Sequence, residues 1–122
     1  MSDGHVRGRV SAEMAESVAD AMFALSAPSR VRILSLLRER PHTVSELTEA
    51  IAMEQSAVSH QLRILREHRL VIAERRGRQR LYALYDEHVG ALLDEAIGHV
   101  DHLAAAGRRR RTSAAGGEDG SR

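Results

Sequence analysis

A chain of 122 residues, 43% hydrophobic and 29% charged, has the size and polarity of one soluble domain with a modest core, which gains from burying more apolar area against a second copy. With no cysteine, disulfides, thiolate metal sites and thiol redox chemistry are excluded, and any bound metal must take nitrogen and oxygen ligands. A net charge of +1 does not by itself indicate a nucleic-acid partner. There is no apolar run of transmembrane length and no charged-then-apolar leader after Met1, so a cytoplasmic protein with no membrane partner is expected.

Residues 1–11 are polar and glycine-containing and read as a flexible N-terminal arm. Ser11 before Ala12-Glu13-Met14 is a cap for a first helix, expected to run to about Ser26. Pro28 suits the first turn of a second helix, with Val31, Ile33, Leu34, Leu36 and Leu37 as core candidates and Pro41 as its stop. Thr43 and Glu46 form the pattern of a capping box that opens a short helix carrying Val44, Leu47 and Ile51. After a turn near Ala52-Met53, Val58, Leu62 and Leu65 recur at helical spacing between Gln55 and Arg66. Residues Leu70 to Leu84 alternate around Gly77 and predict a two-stranded hairpin with a basic tip. A last helix spans Val89, Leu92, Leu93, Ala96, Ile97, Val100 and Leu103, opposed only by Gly90 and Gly98. Residues 12–106 thus form one folded domain, and 107–122, with the run Arg108 to Arg111, read as a disordered tail.

Helix, turn, helix and basic hairpin is the order of a winged helix-turn-helix, a mainly α fold with a small β-hairpin. Its second helix is the one expected in the major groove of double-stranded DNA. Gln55, Ser56, Ser59, His60 and Gln61 are hydrogen-bonding groups near that helix's N-terminus, suited to base edges or phosphates, while Arg63 and Arg66 suit the backbone. Arg75, Arg76, Arg78 and Arg80 crowd the hairpin, and of these Arg76 and Arg78 are the expected DNA contacts, making binding steeply salt-dependent. His42 and His68 are expected to be solvated rather than ligating.

The last helix carries a second constellation. His99 and His102 stand at i,i+3, close enough to share an ion. His88 lies eleven residues earlier, about 16 Å along the axis, so one helix cannot close the gap. Two copies of the helix paired antiparallel about a dyad near Leu93 and Asp94 would bring Asp86 and His88 of one chain to His99 and His102 of the other. That predicts a homodimer through its terminal helices with two equivalent metal sites. A lone surface histidine is ordinarily just solvated; four ligands in register are a different matter. An enzyme is not expected, since there are only three aromatic residues and the ligands must come from two subunits.

Leu25-Ser-Ala-Pro-Ser-Arg-Val-Arg-Ile-Leu34, Gln55-Ser-Ala-Val-Ser-His-Gln-Leu-Arg-Ile-Leu65 and the segment from Gly77 to Tyr85, together with Asp86-Glu-His88 and His99-Val-Asp-His102, resemble the ArsR/SmtB family of metal-responsive bacterial repressors. Within it the likeness is to the nickel/cobalt-sensing mycobacterial branch. The resemblance implies a homodimer that represses an operator and is released when metal binds between subunits. It implies Ni(II) or Co(II) if the N-terminal arm, through His5 and the amine, completes a six-coordinate shell, and Zn(II) if the four ligands suffice. His5 lies further from the terminus than that branch's pattern, and arginines stand where it has histidines beyond the last helix.

Overall fold

The computed structural model describes the backbone of residues 8–121 and side chains through Ser113. Chain order is α1 (Ala12–Ala24), α2 (Pro28–Glu39), α3 (Val44–Ile51), α4 (Gln55–Glu67), β1 (Val71–Arg76), β2 (Gln79–Leu84) and α5 (Glu87–Ser121). Local chemistry sets most of the boundaries. The Ser11 hydroxyl accepts from the Met14 amide at 3.0 Å, and α1 ends two residues short of Ser26. Pro28 sits in the first turn of α2, where its missing N–H costs nothing. At α3 the capping box is complete, with Glu46 N donating to Thr43 Oγ1 at 3.1 Å and Thr43 N donating to Glu46 Oε1 at 2.9 Å.

α3 and α4 form the helix-turn-helix, joined through Ala52, which is left-handed at φ 55°. The C-terminus of α4 closes through Arg69, also left-handed at φ 58°. Leu70 N donates to Leu65 O and Arg69 N to Arg66 O, the paired bonds of a Schellman motif. β1 and β2 pair antiparallel with Val71 opposite Leu84 and Arg76 opposite Gln79, leaving Gly77-Arg78 as the turn. Gly77 takes φ 60°, the first position of a Gly-X two-residue hairpin turn. His42 adds one further rung, its backbone exchanging hydrogen bonds with Tyr82 at 3.0 and 2.8 Å. His42 is therefore not solvated: it is buried, with Nδ1 2.7 Å from Arg40 O, because the strand-like connection after α2 packs under the hairpin.

The core is built around α2, whose Ile33, Leu34 and Leu37 meet Leu47 and Ile51 of α3, Val58, Leu62 and Leu65 of α4, Tyr82 of β2 and Val89 and Leu93 of α5. α1 contributes only Ala24 to it. α5 continues helical past residue 106, where its end was expected, through Arg108 to Arg111, residues of high helix propensity. Among the described residues no helix is long and apolar enough to cross a membrane.

Removing the Thr43 hydroxyl tests how far local capping stabilises the helix-turn-helix. Thr43→Ala is expected to lower unfolding stability by about 1 kcal/mol with no change of fold, measured by urea denaturation.

Candidate nucleic-acid interface and metal centre

At 3.6 residues per turn, Gln55, Ser56, Ser59, His60, Arg63 and Arg66 fall on one side of α4, and all six are exposed. The opposite side holds Val58, Leu62 and Leu65 in the core. No side chain caps the N-terminus of α4, so its first amides remain open to an anionic oxygen, aided by the helix dipole. In the hairpin, Arg76 pairs with Gln79 and Arg78 occupies the turn, both exposed. Arg75 stands directly opposite Arg80. Like charges facing each other across strands are unfavourable on their own, and a phosphate between them removes that repulsion.

Gln61 does not belong with the exposed set. It is half-buried, and its Oε1 accepts a 2.8 Å hydrogen bond from Arg30 Nη1. Arg30 is only 7% exposed. Its Nε donates to Ala24 O at 2.6 Å and Nη2 to Phe23 O at 3.2 Å, so a buried cation without a carboxylate partner is satisfied by the negative end of α1. The guanidinium also lies 5.8 Å from the centre of the Phe23 ring, whose centroid is 6.4 Å from that of the His68 ring. His68 is half-buried and fixed by Nδ1 to Ile64 O at 2.9 Å, rather than solvated. Sequence reading passed over Arg30, although it occupies the position three and four residues before Ile33 and Leu34, on the apolar side of α2. A charge on an apolar stripe was the available signal.

On α5, Asp86 caps the helix: its Oδ1 accepts from His88 N at 3.0 Å and Val89 N at 3.3 Å, and Oδ2 lies 3.5 Å from His88 Nδ1. The His88 side chain is 95% exposed. His99 follows three turns later on the same side, with His102 one turn beyond, and both are exposed. Val89 and Leu93 occupy the other side, in the core. Among the described residues no three such side chains gather within the chain. At the level of the expected dyad, Leu93 is buried and Asp94 is engaged, so Ala91, Leu92 and Glu95 are what that level offers a second copy. His5 lies outside the described residues.

Asp94 is gripped by Arg38 of α2 in a two-pronged pair, Nε to Oδ1 at 3.2 Å and Nη2 to Oδ2 at 2.7 Å. Among the described residues this is the only side-chain hydrogen bond joining α5 to another element. Gly90 makes room for it, since a Cβ there would stand 3.1 Å from both Cδ and Nε of Arg38. The glycine that argued against a helix is thus explained by the close approach of α2.

Residues 27–73 match the model of the arsR family of bacterial regulatory proteins. Over 91 residues, 75% of this chain and 76% of its relative, the sequence is 56% identical to the HTH-type transcriptional regulator NmtR of Mycobacterium tuberculosis. The chain belongs to the arsR family. It is a winged helix-turn-helix transcriptional regulator and not an enzyme. It is also 43% identical over 91 residues to the transcriptional repressor SmtB homolog of Synechocystis, covering 75% of this chain and 69% of that one. The solution structure of apo-NmtR superposes with a TM-score of 0.66 at 52% identity, covering 80% of this chain and 82% of that one. The homodimeric winged helix-turn-helix domain of Mb0332 from Mycobacterium bovis superposes at 0.69 with 28% identity, covering 79% and 91%.

The Arg38 pair holds the Asp94 carboxyl below its ordinary value, first through the hydrogen bonds and then through the charge. A carboxylate shifted downward stabilises the folded state above its unfolded pKa, and that contribution fades as pH falls through the lowered folded value. Below an ordinary value of about 4, wild-type protein should therefore lose more melting temperature than Asp94→Asn, which has no such carboxylate to protonate. Thermal unfolding followed by circular dichroism at a series of acid pH values measures the difference.

Proposed function

We propose that this regulator is a metal-sensing repressor that binds operator DNA as a homodimer and is released when Ni(II) or Co(II) binds at two sites between the subunits. The observation that carries this reading is the placement of His88 and His99 on one exposed side of α5, three turns apart, with Asp86 beside the first and His102 beside the second. Neither half suffices alone, and antiparallel pairing of two copies joins them.

The donor set fits a divalent transition metal. Asp86 spends Oδ1 on capping and keeps Oδ2 beside the His88 ring, and the three imidazoles with one carboxylate are a nitrogen-rich, borderline-hard set. Bound there, the metal ion would supply coordination bonds that bridge the two subunits. Asp86 and His88 of one copy, with His99 and His102 of the other, then fix the angle between the paired α5 helices. The Arg38–Asp94 pair passes that angle to α2 and the core, and so to the separation of the two α4 helices, which must match successive major grooves. The coupling is reciprocal, so operator weakens metal binding by the same factor as metal weakens operator binding.

Unpartnered apolar surface supports the dimer. Met14, Val18 and Met22 form an exposed stripe on α1, and Ile97, Val100 and Leu103 another on α5. Along the α5 stripe runs an apolar groove of about 460 Å³ lined by Leu25, Val31, Leu93, Ile97, Val100 and Ala104. A Zn(II)-sensing repressor is the second reading, favoured by a ligand count that already completes a tetrahedron without the N-terminal arm.

Visible absorption during Co(II) titration separates the two. Weak d–d bands with tight binding support six-coordination and nickel/cobalt, whereas intense bands support a tetrahedral site and zinc. His99→Ala and Asp86→Ala are expected to keep DNA binding and lose metal-dependent release; loss of DNA binding in both contradicts the proposal, and absence of any metal binding by wild type points to a regulator with a non-metal signal.

A further inference from the structure

We infer that Gln61 is a positioning residue and not a reader of bases: Arg30 holds its amide oxygen and thereby ties the recognition helix α4 to the end of α1. This rests on the operator-binding reading above and adds to it a residue-level account of how α4 is aimed.

The chemistry of the pair fixes the orientation of the amide. A guanidinium has five donors and no acceptor, so only the oxygen of Gln61 can face Arg30, and the amide nitrogen points away. A glutamine recognises adenine by offering its oxygen and its nitrogen together to the base edge. With the oxygen 2.8 Å from Arg30 Nη1, that two-point contact is closed to Gln61. Its place on the helix agrees, because Gln61 lies one turn from Ala57 and from Leu65, on the flank of α4 that faces the protein.

Arg30 is itself fixed from three directions. Two of its bonds end on the carbonyls of Phe23 and Ala24, the last turn of α1, and the third on Gln61. A second link runs in parallel, since the Phe23 ring neighbours both Arg30 and His68, the residue that ends α4. α1 contributes little else to the chain's own core, while its Met14, Val18 and Met22 stripe is open to a second copy. The C-terminal turn of α1 is thus stapled to the recognition helix at two points, and a shift of α1 must either carry α4 with it or break one of the bonds that Arg30 makes to Phe23, Ala24 and Gln61. Gln61 in this role touches no base.

The test uses full-length protein and two duplexes: one that the wild-type chain selects from a randomised pool, and one of mixed sequence. Failure of wild type to select any sequence would count against operator binding itself, separately from the role of Gln61. Gln61→Ala should bind the selected duplex about tenfold more weakly than wild type. Gln61→Glu keeps an acceptor for Arg30 and should retain the wild-type preference for the selected over the mixed duplex; the comparison cancels the repulsion of an added charge, and selection repeated with Gln61→Glu should return the same sequence. A changed sequence preference in Gln61→Glu, an equal loss of preference in both variants, or wild-type affinity in Gln61→Ala would each overturn the inference. Should Gln61→Ala unfold, the Gln61→Glu selection alone decides.

Discussion

Burial of Ile33, Leu34 and Leu37 makes α2 the member on which every other element leans. α3, α4, β2 and α5 each pack side chains against it, and large-to-small changes at such fully buried aliphatic positions typically cost about 2–5 kcal/mol. A guanidinium stands toward each end of the same helix. Arg30, near the N-terminus, joins the end of α1 to the recognition helix, and Arg38, near the C-terminus, grips Asp94 of α5. The two helices that carry exposed apolar stripes are therefore each tied by one arginine of α2 to the rest of the fold. A rigid, close-packed core transmits displacement rather than absorbing it, which is what the proposed coupling of a metal site on α5 to the spacing of two recognition helices requires.

The two arginines differ in kind. Arg30 is buried and takes its compensation from backbone carbonyls at a helix end and from a neutral amide, so breaking its contacts strands a desolvated charge. Arg38 is half exposed, and its carboxylate partner is half exposed as well. Solvent screens that pair, so its worth lies more in fixing the direction of α5 than in stability. The first is a buried joint and the second a solvent-screened one.

Much of this was legible in the sequence because the signals are local. Ser11, Pro28 and the Thr43–Glu46 box mark helix starts through hydrogen bonds made within one turn, and Gly77 marks the hairpin through a backbone angle that glycine adopts freely. The exposed side of α4 followed from helical periodicity. Less legible were contacts made between elements distant in sequence. Nothing local tells that Gln61 turns toward Arg30, thirty-one positions away, or that Gly90 clears a path for Arg38, or that His42 is drawn under the hairpin by pairing with Tyr82. The apolar pattern of α5 also runs beyond its buried part: Ile97, Val100 and Leu103 continue it and are exposed. That excess is itself informative, since an apolar pattern longer than the core available to it implies a partner surface.

The measurement that bears most directly on this account is metal stoichiometry in a mixed dimer, assembled from one chain carrying Asp86→Ala and His88→Ala and another carrying His99→Ala and His102→Ala. If each site draws its two halves from different subunits, one site of the mixed dimer retains all four ligands, and Co(II) should bind with one ion per dimer while each doubly substituted homodimer binds none. No binding by the mixed dimer, or full binding by either homodimer, would contradict the shared site and with it the proposed route from metal to DNA.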